Sequence, residues 1–553
     1  MNVAETLTQI LVDEGVEVAS GITGQSIGLI ADALINNPGI NMCYTRQERV
    51  AVDVCDGYAR VTGKPGVLFT DQGPGVANTA AGILNSYGDS SPLLFLAAAN
   101  RRFDTPHRGY KELALEEVFG PITNWTTTLL DISQIGDVMR RAFTTLRSGR
   151  PGPVIIGVPY DLAPQEVPGD FTYHPAPLRI RSAGDPQEVE RAIQILANAQ
   201  CPYVCAGAGV LMSEGSDELV ELAELLTLPV ATTLNGKSAF PEDHPLALGK
   251  GGITRANYGT IQATRLALEA DVILTVGCSF QRHTLMTPIP DDVKVIQVDI
   301  NPFEMSKQTP VDVPILGDAK LVLRQMVDAA RASVPNERLQ PKPAVVRRIE
   351  ELRQEWMDFS MPILTSSETP VNPFRVTWEL SQLVNPDETV VLHDAGSVRG
   401  SICQHYTATV PHSFIGYGVQ SSMGWSLGAA LGAKMAAPDK LVVAVTGDEA
   451  FGETAMDLET ATANDIPILV VLKNNRGHET DPERSAVRAV KIRPVGDYTA
   501  MARALGVRAT RVEDPETLGE TLAESIAWVK NGQSALVEVN TKRVQTSLYP
   551  YGA

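Results

Sequence analysis

The sequence contains no run of about 18 apolar residues, the length that crosses a bilayer as a helix, so no membrane span is expected. Cysteine is scarce as well. The six, Cys43, Cys55, Cys201, Cys205, Cys278 and Cys403, lack the dense spacing of a secreted disulfide framework and read as reduced, buried thiols. Cys201 and Cys205 bracket a strand-like Pro-Tyr-Val; no second pair follows to complete a zinc set, so both are assigned to the core. Positive charge is short: 46 Lys and Arg against 65 Asp and Glu leave a net charge of −19 with no concentrated basic patch. That balance repels nucleic acid and anionic membrane surfaces. The amino-terminal stretch MNVAETLTQILVDEGVEVA is an amphipathic helix pattern with acidic residues inside it and lacks the basic start and apolar core of a signal peptide. The expected compartment is the cytoplasm.

What remains is the composition of an ordinary packed protein, 44% hydrophobic and 20% charged. At 553 residues the chain exceeds one hydrophobic core, and about three or four units are expected. Three stretches repeat one grammar, short Val/Ile/Leu/Ala runs alternating with helical periodicity, which predicts an α/β fold of three doubly wound parallel-sheet domains. The first spans 1–168, with strands such as PGVLFTD and PLLFLAAA and a helix from Glu48 to Thr62. A Pro-rich segment without either period links it to a central, nucleotide-fold-like unit over 185–340. A charged, Pro-containing connection leads to the third unit, 365–545, and residues 546–553 form a tail.

In the third unit the strand LVVAVT ends at Gly447-Asp448-Glu449, and after a helix-like stretch PILVVLK ends at Asn474-Asn475. Both polar clusters fall at the carboxyl ends of parallel strands, the edge at which open α/β sheets bind ligands. Magnesium takes hard oxygen ligands and shares them with phosphate. Asp448 offers a carboxylate, Asn475 an amide oxygen and Gly477 a backbone carbonyl. Turn chemistry alone also favours Gly, Asp and Asn after a strand, so the pair counts only in combination.

The combination resembles the metal and diphosphate motif of thiamine diphosphate enzymes. In the first unit, YTRQERVAVDVCDGYARVTGKPGVLFTDQGPGVAN resembles the pyrimidine-binding half of the acetohydroxyacid synthase, benzaldehyde lyase and benzoylformate decarboxylase superfamily. The resemblance implies thiamine diphosphate and Mg²⁺ as cofactors, with Asp448, Asn475 and Gly477 on the metal and Glu48 as the activating glutamate. A carboxylic acid against the far nitrogen of the aminopyrimidine favours the imino tautomer that removes the thiazolium proton, and burial would keep that acid protonated. Met423 matches the apolar wedge beneath the cofactor. Gly396, Ser397, Ser422, Gly447, Glu449, Ala450 and His478 complete the implied cofactor contacts. Glu449 departs from the Gly or Ser usual at its place, and a second carboxylate beside a diphosphate leaves its role open.

The substrate pocket is set by positions that differ among relatives. By the resemblance, Gln25 and Ser26 stand where relatives carry histidine or serine near the reacting carbon, and Asp71 occupies the place of a catalytic histidine of benzoylformate decarboxylase. Gln72 is a hydrogen-bonding or turn-stabilising residue. Tyr110-Lys111-Glu112 occupies an aromatic-Gln-Glu segment, with Asn124 in place of a lysine further on. Lys111 is suited to a substrate carboxylate or phosphate, and Tyr110 matches a tyrosine of oxalyl-CoA decarboxylase. In the central unit VGCSFQRHT replaces the sequence used near FAD, which makes flavin doubtful; Arg282 and His283 are candidates to reach the site. His478 lies close enough to the metal motif for proton transfer.

The expected reaction is cleavage or formation of a carbon–carbon bond: a small 2-oxo acid is decarboxylated and its acyl unit protonated or transferred, as in acetolactate synthase. A 2-hydroxyacyl-CoA lyase or acyl-CoA decarboxylase is the alternative, and a catalytically silent paralogue a third, opposed by retention of Glu48, Asp448 and Asn475. The family builds its site between two subunits, which implies a homodimer at least, commonly paired into a homotetramer.

Overall fold

The computed structural model describes residues 1–105, 109–251, 259–280, 289, 292–416, 418–477, 494–544 and 548. They form three six-stranded parallel sheets interleaved with helices. The first contains β1 (Val18–Ile22), β2 (Asn41–Tyr44), β3 (Gly66–Thr70), β4 (Leu93–Ala99), β5 (Trp125–Thr128) and β6 (Pro153–Pro159), in the order β2-β1-β3-β4-β6-β5. The second contains β7 (Pro202–Ala206), β8 (Val230–Thr232), β9 (Ala247–Lys250), β10 (Val272–Val276), β11 (Lys294–Asp299) and β12 (Val313–Leu316), ordered β12-β11-β10-β7-β8-β9. The third contains β13 (Thr389–His393), β14 (Phe414–Gly416), β15 (Leu441–Gly447), β16 (Leu469–Asn474), β17 (Arg508–Val512) and β18 (Ala535–Asn540), ordered β14-β13-β15-β16-β18-β17.

The continuous apolar runs follow from burial on both faces. Along β3, Val67 and Phe69 enter one core layer and Leu68 the opposite one. Along β15, Val443 and Val445 face one layer, Val442 and Ala444 the other. Five strands that the sequence reading did not predict, β5, β9, β12, β14 and β17, all lie at sheet edges. An edge strand is short and covered on fewer sides, as the alternation of buried and exposed residues in β12 shows, so it lacks the apolar run that marks a central strand.

Two expectations are corrected. Cys201 is exposed, because β7 begins at Pro202 and leaves the cysteine in the preceding turn. The charged connection after the central unit is a 22-residue helix, Pro343–Leu364, opened by a proline whose fixed φ suits the first helical turn. No helix among the described residues is long and apolar enough to cross a membrane.

The first and third sheets meet through their helices Glu48–Thr62 and Trp425–Ala436. Small residues bring the two backbones together: a Cβ on Gly57 would lie 2.1 Å from the Ala429 carbonyl oxygen, and the Cβ of an alanine at 432 would lie 1.9 Å from that of Val54. Around this crossing, the Trp425 ring is fully buried and its Nε1 donates to Asp56 at 2.7 Å. Arg60 also binds Asp56 and reaches Asp89 at 2.8 Å. Each buried charge thus has a partner, as burial demands.

Candidate active site

At the third sheet, the order of strands reverses between β13 and β15, and the loops that leave their carboxyl ends flank the crevice where such sheets bind ligands. After β13, Gly396 at φ +80° opens the helix Ser397–His405. After β15, Gly447 caps the helix Asp448–Thr454, which contains Glu449 and the buried Ala450. After β16, Asn475 and Gly477 form the third loop. The structure therefore gathers the diphosphate and metal candidates at one edge.

Asp448 and the Asn475 loop are in direct contact: Asp448 Oδ2 accepts the Gly477 N–H at 2.9 Å. Burial pushes the Asp448 carboxyl above its usual range, and the neighbouring Glu449 adds to the rise while the Gly477 N–H opposes it. Asn475 Oδ1 is buried and has no hydrogen-bond partner among the described residues. A buried carboxylate and an orphaned amide oxygen form a hard-oxygen donor set that suits magnesium. Arg543 shapes the loop, its Nε donating to the Asn475 carbonyl at 3.2 Å and its other nitrogen to Arg476. Gly477 stands at φ +154°, a conformation side-chain-bearing residues rarely adopt, and a Cβ there would also displace the end of the Arg543 side chain, 2.0 Å away.

Asp394, at the end of β13, was not singled out from the sequence although the same strand-end logic applies. It is fully buried and accepts from Ala395 N at 2.7 Å, Gly424 N at 3.0 Å, Ser426 N at 2.9 Å and Ser426 Oγ at 2.7 Å. It joins the Gly396-Ser397 loop to the Ser422-Met423 loop. Arg49 approaches that second loop from the first sheet, donating to Ser422 Oγ at 3.0 Å and to the Met423 carbonyl. Ser422 and Met423 themselves are half-buried.

At the first sheet, Glu48 opens its helix and accepts from Asn78 Nδ2 at 3.0 Å. The side chain is only partly buried within this chain. Close by is a second cluster. Asp71 Oδ1 accepts from the Ser26 N–H at 2.9 Å and from Ser26 Oγ, and Oδ2 accepts from Lys111 Nζ at 2.7 Å. Burial alone would raise the Asp71 carboxyl, but the hydrogen bonds from Lys111 and Ser26 outweigh it and hold it below its usual range. Gln72 Nε2 donates to the Tyr110 carbonyl at 2.9 Å, and the Tyr110 side chain is 80% exposed. Gln25 is exposed beside Ser26. Ser26, Gln72, Tyr110 and Lys111 are therefore neighbours. Asn124 is elsewhere, at the amino end of β5, with Nδ2 donating to Arg150 O at 2.9 Å. His283, Arg282 and His478 lie outside the described residues.

Two polar loop sets on parallel sheets, one around an acidic helix start and one around a carboxylate and an amide oxygen, offer the donor types that a diphosphate cofactor and its cation would need. Known proteins agree. Residues 1–118 match the N-terminal TPP binding domain, 189–326 the central domain and 394–539 the C-terminal TPP binding domain of thiamine pyrophosphate enzymes. The chain belongs to the thiamine pyrophosphate enzyme family. It is 31% identical over 550 residues to a probable acetolactate synthase large subunit of Methanococcus aeolicus, spanning 95% of this chain and 90% of that one. It is 32% identical over 546 residues to the corresponding protein of Methanocaldococcus jannaschii, with the same coverage. With the acetolactate synthase isozyme 3 large subunit of Escherichia coli it shares 31% over 556 residues, 97% and 94% of the two chains.

Proposed function

We propose that this chain is a magnesium- and thiamine-diphosphate-dependent carboligase of the acetolactate synthase type, which decarboxylates a small 2-oxo acid and joins its acyl unit to a second carbonyl compound. The observation that carries this reading is the contact of Asp448 with the Asn475–Gly477 loop, which leaves Asn475 Oδ1 buried and unpartnered among the described residues. That donor set asks for a hard cation, and in this family the cation holds a diphosphate.

When bound, the cofactor supplies an acidic thiazolium carbon at which carbon–carbon bonds are broken and made. The chain's own residues do the rest. Asp448, Asn475 and the Gly477 carbonyl hold the metal, and Arg543 fixes the loop that carries two of them. Gly396, Ser397, Gly447 and Ala450 would present strand ends and helix starts to the diphosphate, and Ser422 and Met423 would give the cofactor's rings a platform. Glu48 keeps a proton at the pyrimidine nitrogen, with Asn78 holding its carboxyl in place. His478, Gln25 and Tyr110 are assigned to proton handling, and Ser26, Gln72, Lys111 and His283 to the substrate; Glu449 flanks the metal carboxylate.

Glu48 is half-exposed in the single chain and Tyr110 is 80% exposed, which supports a site closed by another subunit, in a homodimer or a homotetramer of paired dimers. The test is incubation of the protein with thiamine diphosphate, magnesium and a panel of 2-oxo acids and 2-hydroxyacyl-CoA esters, read by carbon dioxide release and product mass. The expected result is carbon dioxide and a 2-hydroxy-3-oxo acid, both abolished by a chelator. Turnover of the CoA esters alone would overturn the reading.

A further inference from the structure

The loop that carries Met423 is held from two different parts of the molecule. On one side Gly424 stands at φ +80°, its N–H donating to Asp394 Oδ1 at 3.0 Å and its carbonyl accepting from Thr454 Oγ1 at 3.1 Å. Both partners belong to the third unit. On the other side Ser421 stands at φ +58°, a left-handed conformation that a side-chain-bearing residue adopts only under constraint. Among the described residues, the side chain that hydrogen-bonds Ser422 and Met423 comes from the first unit. It is Arg49, whose Nη2 donates to Ser422 Oγ at 3.0 Å and to the Met423 carbonyl.

Arg49 is itself pinned. Its side chain is 9% exposed, with Nε 3.2 Å from Asp53 Oδ2 one turn along the same helix. Nη1 donates to Glu453 Oε2 at 3.2 Å. Asp53 sits in the close crossing of the two helices, where a Cβ on Gly428 would lie 2.7 Å from its own Cβ. A guanidinium holds its N–H donors in one plane, so a rigid fork anchored in that crossing sets the distance from the helix start to the Met423 carbonyl. Glu48 is the residue just before it on the same helix start. Two consecutive residues thus have different tasks: Glu48 is assigned above to the pyrimidine nitrogen, and Arg49 reaches the loop of the wedge.

We propose that Arg49 is a positioning residue for the wedge: by fixing the Met423 carbonyl it sets how far the Met423 side chain rises, and so how tightly the cofactor's two rings fold together. This rests on the thiamine diphosphate reading above. The pyrimidine amine reaches the thiazolium carbon only when the rings are folded, and a misplacement of ~1 Å between reacting groups costs about 100-fold in rate. Arg49 acts through Met423 and not on the rings. Its partners, Asp53, Glu453, Ser422 and Met423, include none of the residues assigned to the metal or the diphosphate.

The test separates the rings from the diphosphate. In Arg49→Met, exchange of the C2 proton of bound cofactor, followed by NMR at saturating thiamine diphosphate and magnesium, should slow about 10–100-fold. Calorimetric binding of magnesium pyrophosphate, which has no rings to fold, should be unchanged. Arg49→Lys should recover little of the exchange, because it keeps the charge and loses the fork. In a Met423→Ala background, Arg49→Met should add almost nothing, since both changes disable one device. Additive losses in that double variant would overturn the proposal. So would pyrophosphate binding that weakens in step with exchange, the mark of a merely structural role. Where Arg49→Met does not fold, Arg49→Gln reads the same measurements. Exchange at the unaltered rate overturns the role of Arg49 and leaves the cofactor reading standing. If the unaltered protein binds no thiamine diphosphate in magnesium, the cofactor reading falls, and this inference falls with it.

Discussion

The first and third sheets have the same strand order, and each places an aspartate just beyond its third strand, Asp71 after β3 and Asp448 after β15. They treat it in opposite ways. Asp71 is held low by its own chain, through Lys111 and Ser26. Asp448 is buried, held by a backbone N–H and pushed upward, with Glu449 beside it. Equivalent positions on one scaffold thus serve different ends, according to whether the chain itself supplies the compensating cation. Asp448, buried without such a cation among the described residues, is the carboxylate proposed above as a metal ligand, whereas Asp71, already paired, orients a lysine.

The strongest way to break this comparison is to remove one acidic function from each sheet. Glu48→Gln should lower the rate of C2-proton exchange of bound cofactor by about 10²–10⁴-fold, the range of a lost proton-transfer partner, while magnesium-dependent binding stays measurable. Exchange followed by NMR at the unaltered rate would remove Glu48 from its role. On the third sheet, Asp448→Ala should weaken cofactor binding in magnesium by about 100-fold, and Asp71→Asn by less than about tenfold. Calorimetric titration giving equal losses for the two would erase the contrast between the sheets.

Smaller effects probe how the sheets are joined and how their interiors differ. Gly432→Ala puts a Cβ 1.9 Å from the Val54 carbonyl oxygen, and overpacking should cost about 1–3 kcal/mol, read as a lower Tm. An unchanged Tm would mean that the two helices slide apart without cost. The third sheet also buries His393, whose pKa burial lowers from 6.5 to about 3. The folded state then refuses a proton that the unfolded state accepts below pH 6.5, so stability falls as pH drops through that window, by up to about 1.4 kcal/mol per unit. His393→Phe should flatten the fall in Tm between pH 6.5 and 4; an equally steep fall would place acid sensitivity elsewhere.

Much of this was legible before the fold was known. The helix Glu48–Thr62 has the bounds its pattern predicts, because a glutamate start, an apolar stripe and a terminal Gly63 in the left-handed conformation are local signals. Asp448 and Asn475 could be placed at one sheet edge because strand ends are read from short apolar runs followed by turn residues. Five of the six edge strands could not, and neither could the 22-residue helix hidden in a charged, Pro-containing connection. Asp394 has no motif of its own; its importance lies in the four donors that converge on it from two loops.

The sequence by itself determined the class of fold, the cofactor family and the identity of the acid and metal candidates, since each depends on residues close together along the chain. Only the tertiary structure paired Lys111 with Asp71, set Arg49 on the Met423 loop and closed Arg543 over Asn475. Those contacts join residues far apart in sequence, and no periodicity or spacing encodes them. They arise from where two parallel sheets and one close helix crossing bring the loops together.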